Sequence, residues 1–169
     1  MNVPEVRRAA PTRSGSSLIV HPSSFNEYLP SHICILFRVQ QLPSLFAALA
    51  DPTRLRLLNL LSAGEACVCY FVEILGESQP KVSRHLAYLR RVGLVHARRD
   101  GKWIHYSLSR PDDGAAAAIV DATLSAIVGE RQMQRDRLAL EKVCCTSPSK
   151  LPPTLQNAPK PQLSAEQTA

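Results

Sequence analysis

Four of the five cysteines in this 169-residue chain fall in two tight sets, Cys67-Val68-Cys69 and Cys144-Cys145. Thiolates bind soft metals and metalloids and react in disulfide exchange. An odd count, with Cys34 set apart, does not suggest a secreted disulfide framework. Clustered thiols in a reducing cytosol point instead to metal or redox chemistry. Spacing alone leaves Cys67 and Cys69 open between paired ligands and ordinary small core residues. Cys144 and Cys145 are either accessory ligands or two thiols at a helix end without a role, and Cys34 reads as a bystander.

A second set of residues suits a polyanion. Between the cap candidate Ser78 and Gly93, the side chains Val82, Leu86, Leu89 and Val92 recur at helical spacing and need burial. The opposite face crowds Gln79, Lys81, Ser83, Arg84 and His85 into the first turns, where they can donate to phosphates or read base edges. Net charge is +6, and its distribution is telling. From Ser78 to Arg110 there are eight basic residues against one acidic, while the rest of the chain holds twelve against thirteen. Arg90, Arg91, Arg98, Arg99 and Lys102 extend the basic front past the helix. Such a localised excess is the footprint of a nucleic-acid-binding face.

Other classes fit poorly. No phosphate-type cradle and no nucleophile-plus-base arrangement is evident, so an enzyme is not expected. Apolar runs such as Ile33 to Phe37 are too short to span a bilayer, and Arg7-Arg8 is not followed by a signal-peptide core, so a cytoplasmic protein is expected.

The elements that would position these residues can be placed in order. Residues 1–41 read as an extension, disordered from Met1 to Pro30 where Ser, Pro, Asn and Arg dominate, with a strand candidate at His32–Val39; an internal start near residue 39 is an alternative. Residues 42–143 carry the folded domain. Leu45, Phe46, Leu49 and Ala50 mark a first helix. Asp51-Pro52 caps a second, Thr53 to Ser62, apolar around most of its circumference. Cys67 to Leu75 is a short third helix, Gly76-Glu77 a turn, and the basic-fronted helix follows, making a helix-turn-helix. Beyond Gly93 the period becomes alternating around Asp100-Gly101, a hairpin with Arg98, Arg99 and Lys102 at its tip. His96 and His105 take surface or cross-strand places there, and Trp103 packs the wing. One long helix from Gly114 to about Val143 has an apolar face too wide for the domain to cover, which suggests a dimer packing with Leu42–Ala50 across a two-fold axis. Residues 144–169 read as a disordered tail. The fold class is therefore mainly α with a small β-hairpin, a dimeric winged helix-turn-helix.

That order, with the string Leu45-Phe46-Ala47-Ala48-Leu49-Ala50-Asp51-Pro52-Thr53-Arg54-Leu55-Arg56-Leu57-Leu58, resembles the ArsR/SmtB family of metal-responsive repressors. Glu65-Ala66-Cys67-Val68-Cys69, Gln79-Pro80-Lys81-Val82-Ser83-Arg84-His85-Leu86-Ala87-Tyr88-Leu89 and Gly93-Leu94-Val95 carry the likeness over about residues 42–143. The resemblance implies a homodimer that sits on double-stranded operator DNA and leaves when an inducer binds. Cys-Val-Cys at this place is similar to the arsenite and antimonite site of the arsenic-responsive branch, so Cys67 and Cys69 carry over as ligands of As(III) or Sb(III). Two departures matter. The third cysteine often found three residues after the second is here Val72, and the last helix has Asp121 but no histidine, against a zinc site there. Cys144 or Cys145 is the available source of a third thiol.

On this reading Cys67 sits in the first turn of a helix, where the dipole favours thiolate. Positions i and i+2 of a regular helix point about 200° apart, so one ion could gather both sulfurs only by unwinding or tilting the third helix. That helix braces the DNA-facing one, and a coupling of about 3 kcal/mol gives roughly hundredfold weaker binding. The expected function is an arsenite-responsive transcriptional repressor. The rival within the same fold is a redox or reactive-sulfur sensor that closes a disulfide.

Overall fold

A computed structural model describes residues 42–163. The expectations for residues 1–41, including the strand candidate and Cys34, lie outside the described residues. Helix α1 covers 42–49, and its Leu45 and Ala48 are buried. Asp51 then accepts a 2.9 Å hydrogen bond from the Arg54 amide and Pro52 takes the first position of α2 (Pro52–Ser62). A proline there loses no hydrogen bond, because that amide has no partner inside the helix. Leu57, Leu58, Leu60 and Leu61 are all buried, so α2 is the central post of the core.

The helix-turn-helix is α3 (Val68–Leu75) and α4 (Gln79–Arg91), joined through Gly76 in the left-handed region at φ 66°. Ser78 holds the cap position of α4 in extended backbone, but its hydroxyl makes no capping bond. Its carbonyl instead accepts from the amides of Lys81 and Val82, both at 3.0 Å. At the far end Leu94 N reaches back to Leu89 O at 3.0 Å, which closes the helix and launches β2 (Val95–Asp100). The hairpin turns at Asp100-Gly101 as expected and returns as β3 (Trp103–Leu108) in full register, Val95 opposite Leu108 and Asp100 opposite Trp103.

Three features differ from the sequence reading. First, the segment before α3 is a strand, β1 (Gly64–Cys67), which pairs antiparallel with β3. Its partner lies about forty residues downstream, and no local period in four residues announces such a pairing. Second, the single long helix is two, α5 (Gly114–Ile127) and α6 (Arg131–Cys145), broken at Val128-Gly129-Glu130. The break lets α6 fold back on α2. Asp136, buried in the contact, takes both nitrogens of the Arg56 fork at 2.7 and 2.8 Å, and Gln132 donates to it at 2.9 Å. Asn59 donates to the Met133 carbonyl, and Arg137 donates to Asn59 and to the Ser62 hydroxyl. Asn59 is cut off from water and needs such partners on α6.

Third, the stretch after Cys145 is folded as far as residue 163 rather than a disordered tail. A 3-10 turn (Pro148–Lys150) leads to Leu151 and Leu155, both inside the core cluster. It ends as β4 (Gln162–Leu163) on β1, giving a four-stranded sheet in the order β2-β3-β1-β4. Two leucines four apart, among prolines, were a weak signal against a polar background. Leu155 has no exposed surface, so Leu155→Ala is expected to cost about 2–5 kcal/mol in urea unfolding. A loss below about 0.5 kcal/mol, the size typical of surface substitutions, would return the segment to a loose tail.

Candidate functional site: a sulfur pair beneath a basic helix

Cys67 is the last residue of β1 and at the same time the cap residue of α3, with extended backbone at φ −74° and ψ 150°. Its ladder partner is His105 of β3. The chain enters the helix one residue later, so Cys69 stands in the first turn. Because only one of the two cysteines is helical, the angular separation expected of a regular helix does not apply. The sulfurs lie 2.9 Å apart, with the Cys69 thiol donating to Cys67. Unwinding α3 is thus not required to bring them together, which corrects the mechanism expected above.

The pair ionises unevenly. The Cys69 S–H hydrogen bond draws the Cys67 thiol down to about 6, against burial, and the backbone amides of Cys69, Ile104 and Val68 assist. Cys69 is pushed far up, first because it keeps the proton that Cys67 shares, then by burial and by the neighbouring sulfur charge. Cys67 is fully buried and Cys69 half-buried. Tyr70, packed beside them, has its phenol pushed up to about 12 by burial and by the charges of Cys69, Cys144 and Cys67.

Cys144 and Cys145 close α6. Cys144 turns inward against the core, and burial, then Cys145, raises its thiol pKa. Cys145 is exposed. Among the described residues no three Cys, His, Asp or Glu side chains converge on one point, so Cys144 and Cys145 do not join Cys67 and Cys69 within this chain. His105 takes the cross-strand place expected of it and is buried there; among the described residues its Nε2 has no hydrogen-bond partner, and its Nδ1 lies 3.6 Å from Glu65 Oε1. Glu65 also accepts from Arg98 at 2.7 Å, tying β1 to the wing. Only strand register makes these contacts, so nothing in the sequence could signal them.

On α4 the residues Gln79, Lys81, Arg84, Arg90 and Arg91 are exposed and Ser83 is half-buried. His85, the remaining DNA-facing candidate, is half-buried. It is turned toward the cap of α2, with Nδ1 3.6 Å from Asp51 Oδ1. Lys81 pairs with Glu77 at 2.6 Å, an exposed contact that costs little to exchange. Arg54 donates to the carbonyls of Ala47 and Ala48 and lies over the Tyr88 ring at 4.5 Å, while Arg91 lies at 4.9 Å from the same ring. That stack fixes α4 to the corner between α1 and α2. On the wing, Arg99 and Lys102 are exposed, and Lys102 stands over Trp103, which packs against the core. Behind α4, Val82, Leu86 and Leu89 share one buried cluster with Tyr70, Phe71 and Leu75 of α3. The helix that follows the sulfurs therefore braces the helix that carries the basic front.

Two helices around a tight turn, a basic outer face and a paired-strand wing define a winged helix-turn-helix protein. Residues 51–97 match the family described as bacterial regulatory protein, arsR family. The chain is 54% identical over 78 residues to the arsenical resistance operon repressor of Escherichia coli K12, spanning 46% of this chain and 67% of that one. It is 44% identical over 91 residues to the arsenic resistance transcriptional regulator ArsR1 of Pseudomonas putida KT2440, spanning 53% and 68%. Among solved structures it is similar to the transcriptional repressor BigR of Xylella fastidiosa, with 30% identity, a TM-score of 0.48, and 59% and 96% of the two chains covered. The chain belongs to the arsR family of bacterial regulatory proteins.

The lowered Cys67 thiol has a consequence for stability. Between its folded value of about 6 and its ordinary value of 9.0, the native state binds fewer protons than the unfolded chain. The Cys67 contribution to stability is therefore lost as pH falls through about 6, and above the ordinary thiol value it is opposed by Cys69, which keeps its proton in the folded state. Thiolate absorbance at 240 nm should titrate with a midpoint near 6, and Cys69→Ala, which removes the donor, should move it toward the usual range. An unmoved midpoint would mean that the hydrogen bond is not its cause.

Proposed function

We propose that this chain is an arsenite- or antimonite-responsive transcriptional repressor. It binds double-stranded operator DNA as a homodimer and dissociates when Cys67 and Cys69 bind As(III) or Sb(III) as thiolates. The observation that carries the reading is the preformed sulfur pair, 2.9 Å apart at the β1–α3 junction, directly behind the DNA-facing helix. The likeness to an arsenical resistance operon repressor and an arsenic resistance transcriptional regulator supports the inducer class.

Arsenite is the ligand to be sensed, not a resident cofactor. Two bonds of about 2.3 Å from one soft ion at angles of about 90–110° hold sulfurs some 3.3–3.8 Å apart. The pair at 2.9 Å must therefore spread by roughly half an ångström or more. The spread moves the start of α3 away from the end of β1. Since α3 and α4 interlock through Tyr70, Phe71, Val82 and Leu86, the recognition helix moves with it. In a dimer two such helices must match half-sites about one DNA turn apart, so a small tilt is costly. Phe46 at 55% exposure, Val128 at 42%, and the outward Ala118, Ala122 and Ala126 of α5 support the two-fold contact between α1 and α5. A third thiol would have to be brought up from Cys144, which packs against the core, or from exposed Cys145.

The roles on the DNA side divide by exposure. Gln79, Lys81, Ser83 and Arg84 at the start of α4 read bases or adjacent phosphates, and Arg90, Arg91, Arg98, Arg99 and Lys102 hold backbone. His85, 3.6 Å from Asp51, completes the DNA-facing set. Among the described residues no helix is long and apolar enough to cross a membrane. The same sulfur proximity would serve the second reading, a redox or reactive-sulfur switch closing a Cys67–Cys69 disulfide.

A gel shift on the chain's own upstream DNA separates the two. Arsenite is expected to release the DNA under full reduction; release only by an oxidant would favour the redox switch. Cys67→Ser and Cys69→Ser should each keep DNA binding and lose release, and normal release by either would move the site elsewhere. Arg84→Ala should weaken operator binding by about 1–3 kcal/mol with relaxed sequence preference, whereas Lys102→Ala should weaken all sequences alike and flatten the salt dependence.

A further inference from the structure

Residues 146–163 take no part in the DNA-reading or sulfur-binding roles set out above, yet they are folded onto the domain. The segment leaves α6 at Cys145, sinks Leu151 and Leu155 into the core and lays Ala158 against it. Its contacts fall on both sides of the sulfur pair. On the strand side, Leu163 pairs with Gly64 and Gln162 with Glu65, just before Cys67. Gly64 has φ +151°, and a Cβ there would stand 2.0 Å from the Gln162 carbonyl oxygen and 2.7 Å from Leu163 Cα. The two backbones thus meet at a distance that only glycine permits. On the helix side, the Thr154 hydroxyl donates to the Glu73 carboxylate of α3 at 3.5 Å. Leu151 and Leu155 also share their cluster with Tyr70 and Phe71 of α3.

We propose that residues 146–163 form a strap that clamps the β1–α3 junction shut and so sets how readily the Cys67–Cys69 pair opens to a thiophile. Whatever spreads the two sulfurs must move the end of β1 against the start of α3. The strap is fastened to both elements, so that movement must stretch or detach it. A strap that holds the closed junction better than the open one raises the thiophile concentration needed for opening by its own preference factor. Its β4 also covers the edge of β1, whose backbone groups would otherwise face solvent. The threshold part rests on the reading of Cys67 and Cys69 as the inducer site. The clamp itself has a readout that needs no inducer, the rate at which Cys67 is alkylated.

The test compares the full chain, a chain ending at Lys160, full-length Gly64→Ala and the two changes combined. Ending at Lys160 removes β4 but keeps Leu151 and Leu155. Two readouts are taken under reductant: iodoacetamide alkylation of Cys67 followed by mass spectrometry, and the arsenite midpoint for release from its own upstream DNA. Alkylation is expected to be about fivefold or more faster in each single variant, the size expected from losing a short hydrogen-bonded ladder. The combined variant should be no faster than the truncated chain, since both act through one contact. The arsenite midpoint should fall by a similar factor. Unchanged alkylation in the truncated chain overturns the clamp. Faster alkylation with an unmoved midpoint in a chain that does respond overturns the threshold role. Faster alkylation in a protein that ignores arsenite leaves the clamp standing and removes the inducer assignment instead. Should Gly64→Ala fail to fold, the chain ending at Lys160 decides alone.

Discussion

The pairing of Cys67 with His105 is the constraint on which the site depends. Left to local preference, the residues from Cys67 onward would form one continuous helix, and the two sulfurs would point about 200° apart. Ladder hydrogen bonds to β3 hold Cys67 extended for one more residue, and the helix starts after it instead of on it. A single residue of secondary structure thus converts a divergent pair into a convergent one. Register matters equally. Sliding β1 by one residue would send Cys67 to the other face of the sheet and put Ala66 in its place.

The same strand links the sulfurs to both basic surfaces. Through α3 they reach the apolar back of α4. Through Glu65, which holds Arg98 and faces His105, they reach the wing. On its opposite flank α4 is fixed to the α1–α2 corner by the Arg54–Tyr88–Arg91 stack. A helix held at one flank and pushed at its back turns rather than slides, because close-packed side chains cannot absorb the push by compression. Turning is the motion that changes where its first residues, Gln79, Lys81 and Arg84, point. Two exits from one junction also explain how a displacement of under an ångström can be read at a surface as wide as a DNA groove.

What the sequence revealed followed the range of the interactions. Caps and turns are local, and Asp51-Pro52, Gly76, Gly93 and Asp100-Gly101 are all where their chemistry placed them. The apolar stripe of α4 was legible because its period repeats over three turns. β1 was not, since four residues give no period and the partner is distant. The break in the last helix had a visible signal in Gly129, overridden by the apolar pattern on either side. His85 lies on the polar arc of α4 as its position predicted, and the Asp51 carboxylate stands at the inner edge of that arc. Leu151 and Leu155 were masked by the composition around them. The cysteines themselves were conspicuous. Their geometry was not, because it is set by β3 and not by the Cys-Val-Cys spacing.

Were Cys67 and Cys69 the inducer site proposed, their donor set would also bear on which ion they hold. Tetrahedral divalent ions such as zinc ask for four ligands, and calcium or magnesium for six or more oxygens. Among the described residues no three Cys, His, Asp or Glu side chains are grouped so as to hold a metal ion. A trivalent metalloid in a three-coordinate pyramid is the ion least short of partners there, needing one further ligand from a thiol or from solvent. Replacing oxygens by soft sulfurs suits its chemistry and not that of a hard cation. Burial strengthens the preference. Two thiols that displace water from a neutral arsenious acid molecule leave a neutral adduct, so the fully enclosed Cys67 is not asked to hold an uncompensated charge away from solvent.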